Sequence, residues 1–461
     1  MKIQFDLEKI QRYNQSGPRY TSYPTAVAFT PDFTQAQHKS HALDSNLPEN
    51  TKPLSLYFHI PFCDTVCFYC ACNKIATKDY SKAEAYLEYL YKEMKMQSEL
   101  LDHSRKVEQL HWGGGTPTFL NHQQIRGLMA KTREYFNLLD DDSGDYSIEI
   151  DPRSVSKETI QVLRDVGFNR FSLGVQDVDD AVQKAVNRIQ PIEETQAIID
   201  ACRENAAQSI SVDLIYGLPL QTVEGFAKTL QTIIAISPDR ISLFNYAHLP
   251  TLFKPQRRIN EADLPGSQEK LDILQQSIAA LVAANYDYIG MDHFAKPDDE
   301  LSIAQREGKL HRSFQGYTTH SDCDLVAMGV SAISNINNSY SQNAKDLDAY
   351  YAGLDNNDLP IIRGYRLNED DLIRREIIQQ LSCQFELDFK PVEDKFGIQI
   401  KEYFASELEQ LALMGGDDLL ALQEDSIQIT PKGRLLIRNI CMVFDAYLKT
   451  QQSNQRFSKT I

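Results

Sequence analysis

The chain has 461 residues, of which 42% are apolar, and a formal net charge of −17. That length calls for two or three domains, or for a barrel that takes most of the chain, and the apolar share excludes intrinsic disorder. The negative charge argues against nucleic acid or an anionic membrane as the main partner, and no apolar run approaches the roughly 20 residues of a spanning helix.

The first fifty residues are polar, and SGPRYTSYPT (16–25) is too rich in Pro and Tyr for a helix, so an ordered N-terminal arm is expected there. From Leu54 a rhythm begins, with short apolar runs at LSLYFHI (54–60), VEQLHWG (107–113), DYSIEID (145–151), RFSLGV (170–175), ISVDLIYGL (210–218) and RISLFNYA (240–247). Helical patterns lie between them. The clearest opens on Ser81 and Glu84, a capping-box spacing, with Leu87, Leu90, Tyr91 and Met94 on one face. Six strand–helix units mean a parallel sheet with helices outside, as a partial or full βα barrel or as a flat doubly wound sheet. The polar and glycine-rich residues cluster just after the apolar runs, at the strand ends where such folds assemble active sites.

Further on, a helix is expected over Ser267–Ala284, and YDYIGMDHFA (286–295) is one more apolar run with a polar end. HRSFQGYTT (311–319) reads as an irregular aromatic loop. Past Leu367 the pattern is helical until DDLLALQEDSIQITPKG (417–433), which reads as two short strands around a turn, a winged-helix-like arrangement. A zinc-stabilised, DNA-binding regulator would account for such a module, but the acidic balance and scarce basic clusters disfavour it.

HIPFCDTVCFYCAC (59–72) holds four of the eight cysteines, Cys63, Cys67, Cys70 and Cys72, while Cys202, Cys323, Cys383 and Cys441 stand alone. Structural zinc wants two ligand pairs, and no second pair follows. A redox C-x-x-C leaves Cys63 unexplained, and a disulfide would close a strained loop in a chain whose charged start is not expected to act as a secretory signal. The remaining reading is an iron–sulfur cluster. C-x3-C-x2-C supplies three ligands at good spacing and leaves one iron open for chemistry.

C-x3-C-x2-C with Tyr69 before the last cysteine resembles the radical S-adenosylmethionine (SAM) superfamily. With CNKIAT, HWGGGTPT, SIEIDPR, GFNRFSLGVQD, DLIYGLP, FNYAHLP, GMDHFA, HRSFQGYTT and SAIS, the chain resembles the oxygen-independent coproporphyrinogen III oxidase (coproporphyrinogen III dehydrogenase) family along nearly its whole length. The resemblance implies a partial (β/α)6 barrel with an N-terminal arm (1–50), a catalytic domain (51–366) and a mostly helical C-terminal domain (367–461). It implies an oxidoreductase of haem biosynthesis that turns two propionates of coproporphyrinogen III into vinyl groups, giving protoporphyrinogen IX, by a 5′-deoxyadenosyl radical made from SAM at a [4Fe-4S] cluster. A haem chaperone of the same superfamily is the alternative. That branch typically lacks CNKI and the PRYTSYPT arm, and both are present here.

The resemblance also assigns residues. Cys63, Cys67 and Cys70 hold the cluster, and Cys72 is a catalytic candidate of open role. Tyr57, Tyr69, Gly114, Gly115, Thr116, Glu149 and Ile333 serve a first SAM, and Gln176, Arg188, Asp213 and Ala247 a second. Arg19, Tyr20, Arg312, Phe314 and Gln315 are the candidate substrate contacts. Expected with them are a cytoplasmic monomer, an electron donor such as a flavodoxin or ferredoxin, and no nucleic-acid partner.

Overall fold

The computed structural model describes residues 3–320, 323–448 and 459. They form two compact units, one made of residues 29–270 and 322–366, the other of residues 1–28, 271–321 and 367–461.

The larger unit carries the rhythm seen in the sequence. Its strands β1 (Leu54–Ile60), β2 (Lys106–Gly114), β3 (Asp145–Ile150), β4 (Arg170–Gln176), β5 (Ser209–Tyr216) and β6 (Arg240–Asn245) fall within two residues of the apolar runs. Helices α1 (Ser81–Ser98), α2 (His122–Tyr135), α3 (Lys157–Val166), α4 (Ile192–Glu204) and α5 (Val223–Ile236) fill the connections. Successive strands are parallel neighbours with no reversal of order, so this is the partial (β/α)6 barrel and not a doubly wound sheet. The sheet stays open. Beyond β1 it continues into β7 (Asp324–Met328), parallel to β1, then antiparallel through β8 (Ile333–Ile336), β9 (Ser339–Asn343) and β10 (Ile361–Arg366).

Period-two alternation sorts the strand side chains. Leu56, Phe58, Leu110, Trp112, Ile148, Phe171, Leu173, Val212 and Leu214 are at most 1% exposed and form the core. The other face is polar and partly open, with Tyr57, His111, Ser147, Glu149, Ser172, Gly174 and Asp213. In register, Tyr57 lies beside His111 and His111 beside Ser147, while Glu149 lies beside Ser172 and Gly174 beside Asp213.

The smaller unit contains the helices Glu369–Gln384, Phe389–Phe396 and Ala405–Gly416, and an antiparallel sheet of Glu386–Asp388, Ser426–Ile429 and Leu420–Leu422, so the expected late strand pair forms. The arm is ordered against this unit. Arg438 donates to the carbonyls of Gly17 and Pro18, and Tyr20 donates to Asp445 at 3.0 Å.

Three local expectations need correction. The capping box at Ser81 does not form. Ser81 is the first helical residue, not the cap, and its hydroxyl donates to Asp79 at 2.6 Å. HRSFQGYTT is not an irregular loop, since His311–Ser313 and Gly316–Thr318 pair as a hairpin that turns through Phe314 and Gln315, with Gly316 at φ +118° opening the second strand. The first fifty residues also contain helices, Leu7–Tyr13 and Gln35–Asp44, which their polar composition concealed. The helix expected from Ser267 runs to Ala283.

Candidate functional site

The loop after β1 is held on several sides. The backbone N–H groups of Ile75 and Thr77 bond the carbonyls of Pro61 and Cys63, at 2.6 and 2.9 Å, folding CNKIAT back along the loop. Phe68 N–H bonds Val186 O at 2.9 Å, and Asn187 and Gln256 donate side-chain amides to Val66 O and Tyr69 O. The glycine loop after β2 completes the frame, with Gly115 N–H on Ile60 O and Thr116 N–H on Phe62 O, both 2.8 Å. The glycines are required here. Gly114 has φ +119°, and a Cβ on Gly115 would stand 2.7 Å from Phe62 O.

This frame turns the cysteines onto one cavity of about 390 Å³, lined by Cys63, Cys67, Cys70 and Cys72, by Tyr69, and by Gly114 to Thr116. Glu149, Gln176, Arg188 and Asp213 line it too. Twelve of the residues singled out in the sequence therefore meet in one place. Tyr57, Ala247 and Ile333 are not among its lining residues. Tyr57 stacks on His111 at 5.8 Å, Ala247 O accepts from Gln256 at 3.2 Å, and Ile333 pairs with Gln342 on β9. Arg19, Tyr20, Arg312, Phe314 and Gln315 belong to the smaller unit. There Arg19 is paired with Asp292 at 2.6 Å, while Arg312 Nε and Nη1 and Gln315 Nε2 are buried with no partner among the described residues.

The thiols are not equivalent. Burial pushes Cys63 up to about 11. Cys72 donates toward Cys70, which with Lys74 brings Cys70 down to about 5 and raises Cys72 itself. Thr116 Oγ1 lies 3.5 Å from Cys63 Sγ. Among the described residues no three His, Cys, Asp or Glu side chains converge as ligands of a single metal ion. The three thiols of C-x3-C-x2-C instead share a cavity wall, the donor chemistry and room that an iron–sulfur cluster requires.

The rest of the lining carries unspent hydrogen-bonding capacity. Gln176 Oε1 and Arg188 Nε are buried with no partner among the described residues. Gln176 has φ +71° and follows a register shift between β4 and β5, a bulge that redirects its side chain. Burial pushes Asp213 up to about 6, and Ser172 Oγ stands 3.4 Å from it. Glu149 Oε2 accepts Gly114 N–H at 3.1 Å, fixing the acidic strand end to the glycine loop. Donors, an acceptor and carboxylates around an open volume suit a zwitterionic, hydroxyl-bearing ligand such as SAM.

Several residues of this site escaped the sequence reading. His59 Nε2 bonds the carbonyl of Asn73 at 2.9 Å, so Nε2 carries the hydrogen, and Nδ1 accepts from Tyr57 Oη at 3.1 Å. Asp151 and Arg153 line the cavity beside Cys67. Their signal was visible in SIEIDPR, a charged pair just after the strand that carries Glu149. Ser172 and Gly174 lie in step with Gln176 on β4, small residues on the face that must stay open.

Residues 57–233 match the Radical SAM superfamily, and residues 367–436 match the HemN C-terminal domain. The chain is 54% identical over 459 residues to an oxygen-independent coproporphyrinogen III oxidase of Pseudomonas aeruginosa, covering 100% of this chain and 99% of that protein. It is 51% identical over 460 residues to the protein of that name from Escherichia coli K12, with the same coverage. The solved structure of coproporphyrinogen III oxidase (HemN) from Escherichia coli, described as a radical SAM enzyme, matches with a TM-score of 0.92 at 48% identity, covering 97% of this chain and 100% of that one. The chain belongs to the oxygen-independent coproporphyrinogen III oxidase family of radical SAM enzymes.

Proposed function

We propose that the chain converts two propionate side chains of coproporphyrinogen III to vinyl groups without oxygen, giving protoporphyrinogen IX. The observation that carries this reading is the shared cavity, lined by three thiols together with Gln176 Oε1 and Arg188 Nε, which have no partner among the described residues. When bound, the [4Fe-4S] cluster and SAM supply the hydrogen-abstracting radical.

The residues divide that work. Cys63, Cys67 and Cys70 hold the cluster and leave one iron for SAM. Glu149 and the Gly114–Thr116 backbone take the methionine end of a first SAM, with Tyr57, Tyr69 and Ile333 beside it. Gln176, Arg188, Asp213 and Ala247 take a second SAM, Asp213 accepting from ribose hydroxyls. Cys72, an exposed residue on the cavity lining whose thiol donates toward Cys70, passes a proton or hydrogen atom. Arg312 and Gln315, with unspent donors, suit the substrate carboxylates better than Arg19 and Tyr20, which already have partners. We assign residues 51–366 to catalysis, and a low-potential flavodoxin or ferredoxin to electron supply. No helix of the described residues is long and apolar enough to cross a membrane.

The test is anaerobic reconstitution with iron and sulfide, followed by assay with SAM, a reductant and coproporphyrinogen III. Carbon dioxide, 5′-deoxyadenosine and protoporphyrinogen IX together are the expected products. Tight haem binding without decarboxylation would indicate the chaperone instead, against which full-length relatives named as oxidases weigh.

A further inference from the structure

Cys67 differs from the neighbouring thiols in the company it keeps. Arg188 Nη1 lies 3.5 Å from its sulfur and Arg153 Nη2 lies 3.6 Å away. Both guanidiniums are fixed by one carboxylate. Asp151 Oδ1 accepts the backbone N–H and Nε of Arg153 at 3.1 and 2.9 Å, and Oδ2 accepts Arg153 Nη2 at 2.6 Å and Arg188 Nη1 at 3.1 Å. Each of these two terminal nitrogens has two hydrogens, so one can serve Asp151 and the other Cys67. Arg188 is tied further by Nη2 to Gly174 O at 2.5 Å. Burial works to raise the Asp151 carboxyl, but the two arginines outweigh it and hold it below the usual carboxylate range. The group is therefore two cations and one anion, with one positive charge in excess, against a single sulfur.

An ordinary surface ion pair would not be built this way. Arg153 sits three positions after a strand end, and a 3-10 turn (Pro152–Ser154) capped by Asp151 points it back into the cavity. Ser154 Oγ donates to Asp151 O at 2.9 Å and reinforces that turn. Arg188 arrives from a separate segment, 37 residues beyond Asp151. Among the described residues Cys63 and Cys70 meet no guanidinium. The Cys63 sulfur faces Thr116, and the Cys70 sulfur faces Cys72 and the single ammonium of Lys74.

We propose that Asp151 and Arg153, with Arg188, form a charged clamp on the Cys67 sulfur that raises the reduction potential of the bound cluster. The inference rests on the reading of Cys63, Cys67 and Cys70 as the cluster ligands. Uptake of one electron from the donor adds negative charge, part of which resides on the ligand sulfurs. Cationic N–H donors at such a sulfur stabilise the reduced form more than the oxidised one, so the potential becomes less negative. Asp151 is a positioning residue, because it holds both guanidiniums at the distance where they act. The clamp eases electron entry at the cost of some driving force for the electron's onward transfer to SAM. Its strength is thus a compromise set in part by Asp151 and Arg153, to which no contact with SAM or substrate is assigned.

The test is a potentiometric titration followed by electron paramagnetic resonance, with dithionite and titanium(III) citrate as reductants. It compares the reconstituted full-length protein with Arg153→Met and Arg153→Lys. The expected result is parent-like iron and sulfide content in both variants, a midpoint shifted to more negative values in Arg153→Met, and a smaller shift in Arg153→Lys. An unchanged midpoint in cluster-loaded Arg153→Met would sink the clamp while leaving the ligand assignment intact. Loss of the cluster from both variants would also overturn it, making Arg153 a scaffold and not a tuner. Failure of the parent protein to take up iron and sulfide would defeat the ligand reading, and the clamp with it.

Discussion

Two buried carboxylates of the larger unit invite comparison, Glu93 on α1 and Asp213 on β5. Burial pushes both upward, Glu93 to about 7 and Asp213 to about 6. Their surroundings differ. Glu93 Oε2 takes Gly329 N–H at 2.8 Å and Tyr350 O–H at 2.6 Å, and Oε1 takes Asn343 Nδ2 at 2.7 Å, so its capacity is spent within the fold. Tyr86, on the same helix, donates to His59 O at 2.6 Å and accepts Val330 N–H at 3.0 Å. Together they fasten α1 between the ends of β1 and β7. Asp213 lines a cavity where Gln176 Oε1 and Arg188 Nε have no partner among the described residues. A displaced acid constant alone does not identify a functional site. Unspent hydrogen bonds facing an open volume separate the two cases.

The comparison can be tested at four positions. The largest effect is expected at the cavity thiols. Cys67→Ala should leave the fold intact yet abolish iron binding and carbon dioxide release, whereas Cys202→Ala, at a buried lone cysteine, should keep both and cost about 1 kcal/mol of stability. Iron analysis and urea unfolding measure the pair. Next comes Glu93→Ala, which orphans three buried donors and should cost about 3 kcal/mol, read as a lowered urea midpoint, with per-molecule activity of the folded fraction retained.

Glu93 also carries a pH signature. The folded chain keeps its proton up to about pH 7, whereas the ordinary value is 4.5. The folded state therefore binds more protons between those values, and stability falls as pH rises through that window. Glu93→Gln should remove a slope of about 3 kcal/mol across it, measured by urea titration at stepped pH. The smallest effect is expected at the cavity carboxylate. Asp213→Asn should weaken SAM binding about tenfold at pH 7.5 and leave stability nearly unchanged. Parent binding should also strengthen as pH rises through about 6, where Asp213 ionises, and the variant should lack that rise. Equilibrium dialysis with labelled SAM decides both.

What the sequence disclosed follows the range of each signal. The strands were legible because alternation and apolar runs are local, and β1 falls on the residues of its apolar run. The cysteines were legible for the same reason, since three of those lining the cavity lie within eight positions. Ser81 misled because Asp79, two residues upstream, competes for its hydroxyl. The hairpin at Arg312 was missed because each strand is only three residues long. The Asp151–Arg188 contact was invisible, since 37 residues separate two groups whose meeting depends on the fold of the barrel.

The alternation of the strands has a consequence for how this protein can vary. Glu149 faces the cavity and Ile148 the core because they are adjacent on β3, and β4 repeats the arrangement with Ser172 and Leu173. Replacing one inner residue alters only the cavity. Inserting a single residue into β3 or β4 would exchange the two faces beyond that point, sending carboxylate into the core and isoleucine into the cavity. Descendants of this chain should therefore differ in strand composition but not in strand length, with gains and losses of residues gathered in the turns opposite the cavity.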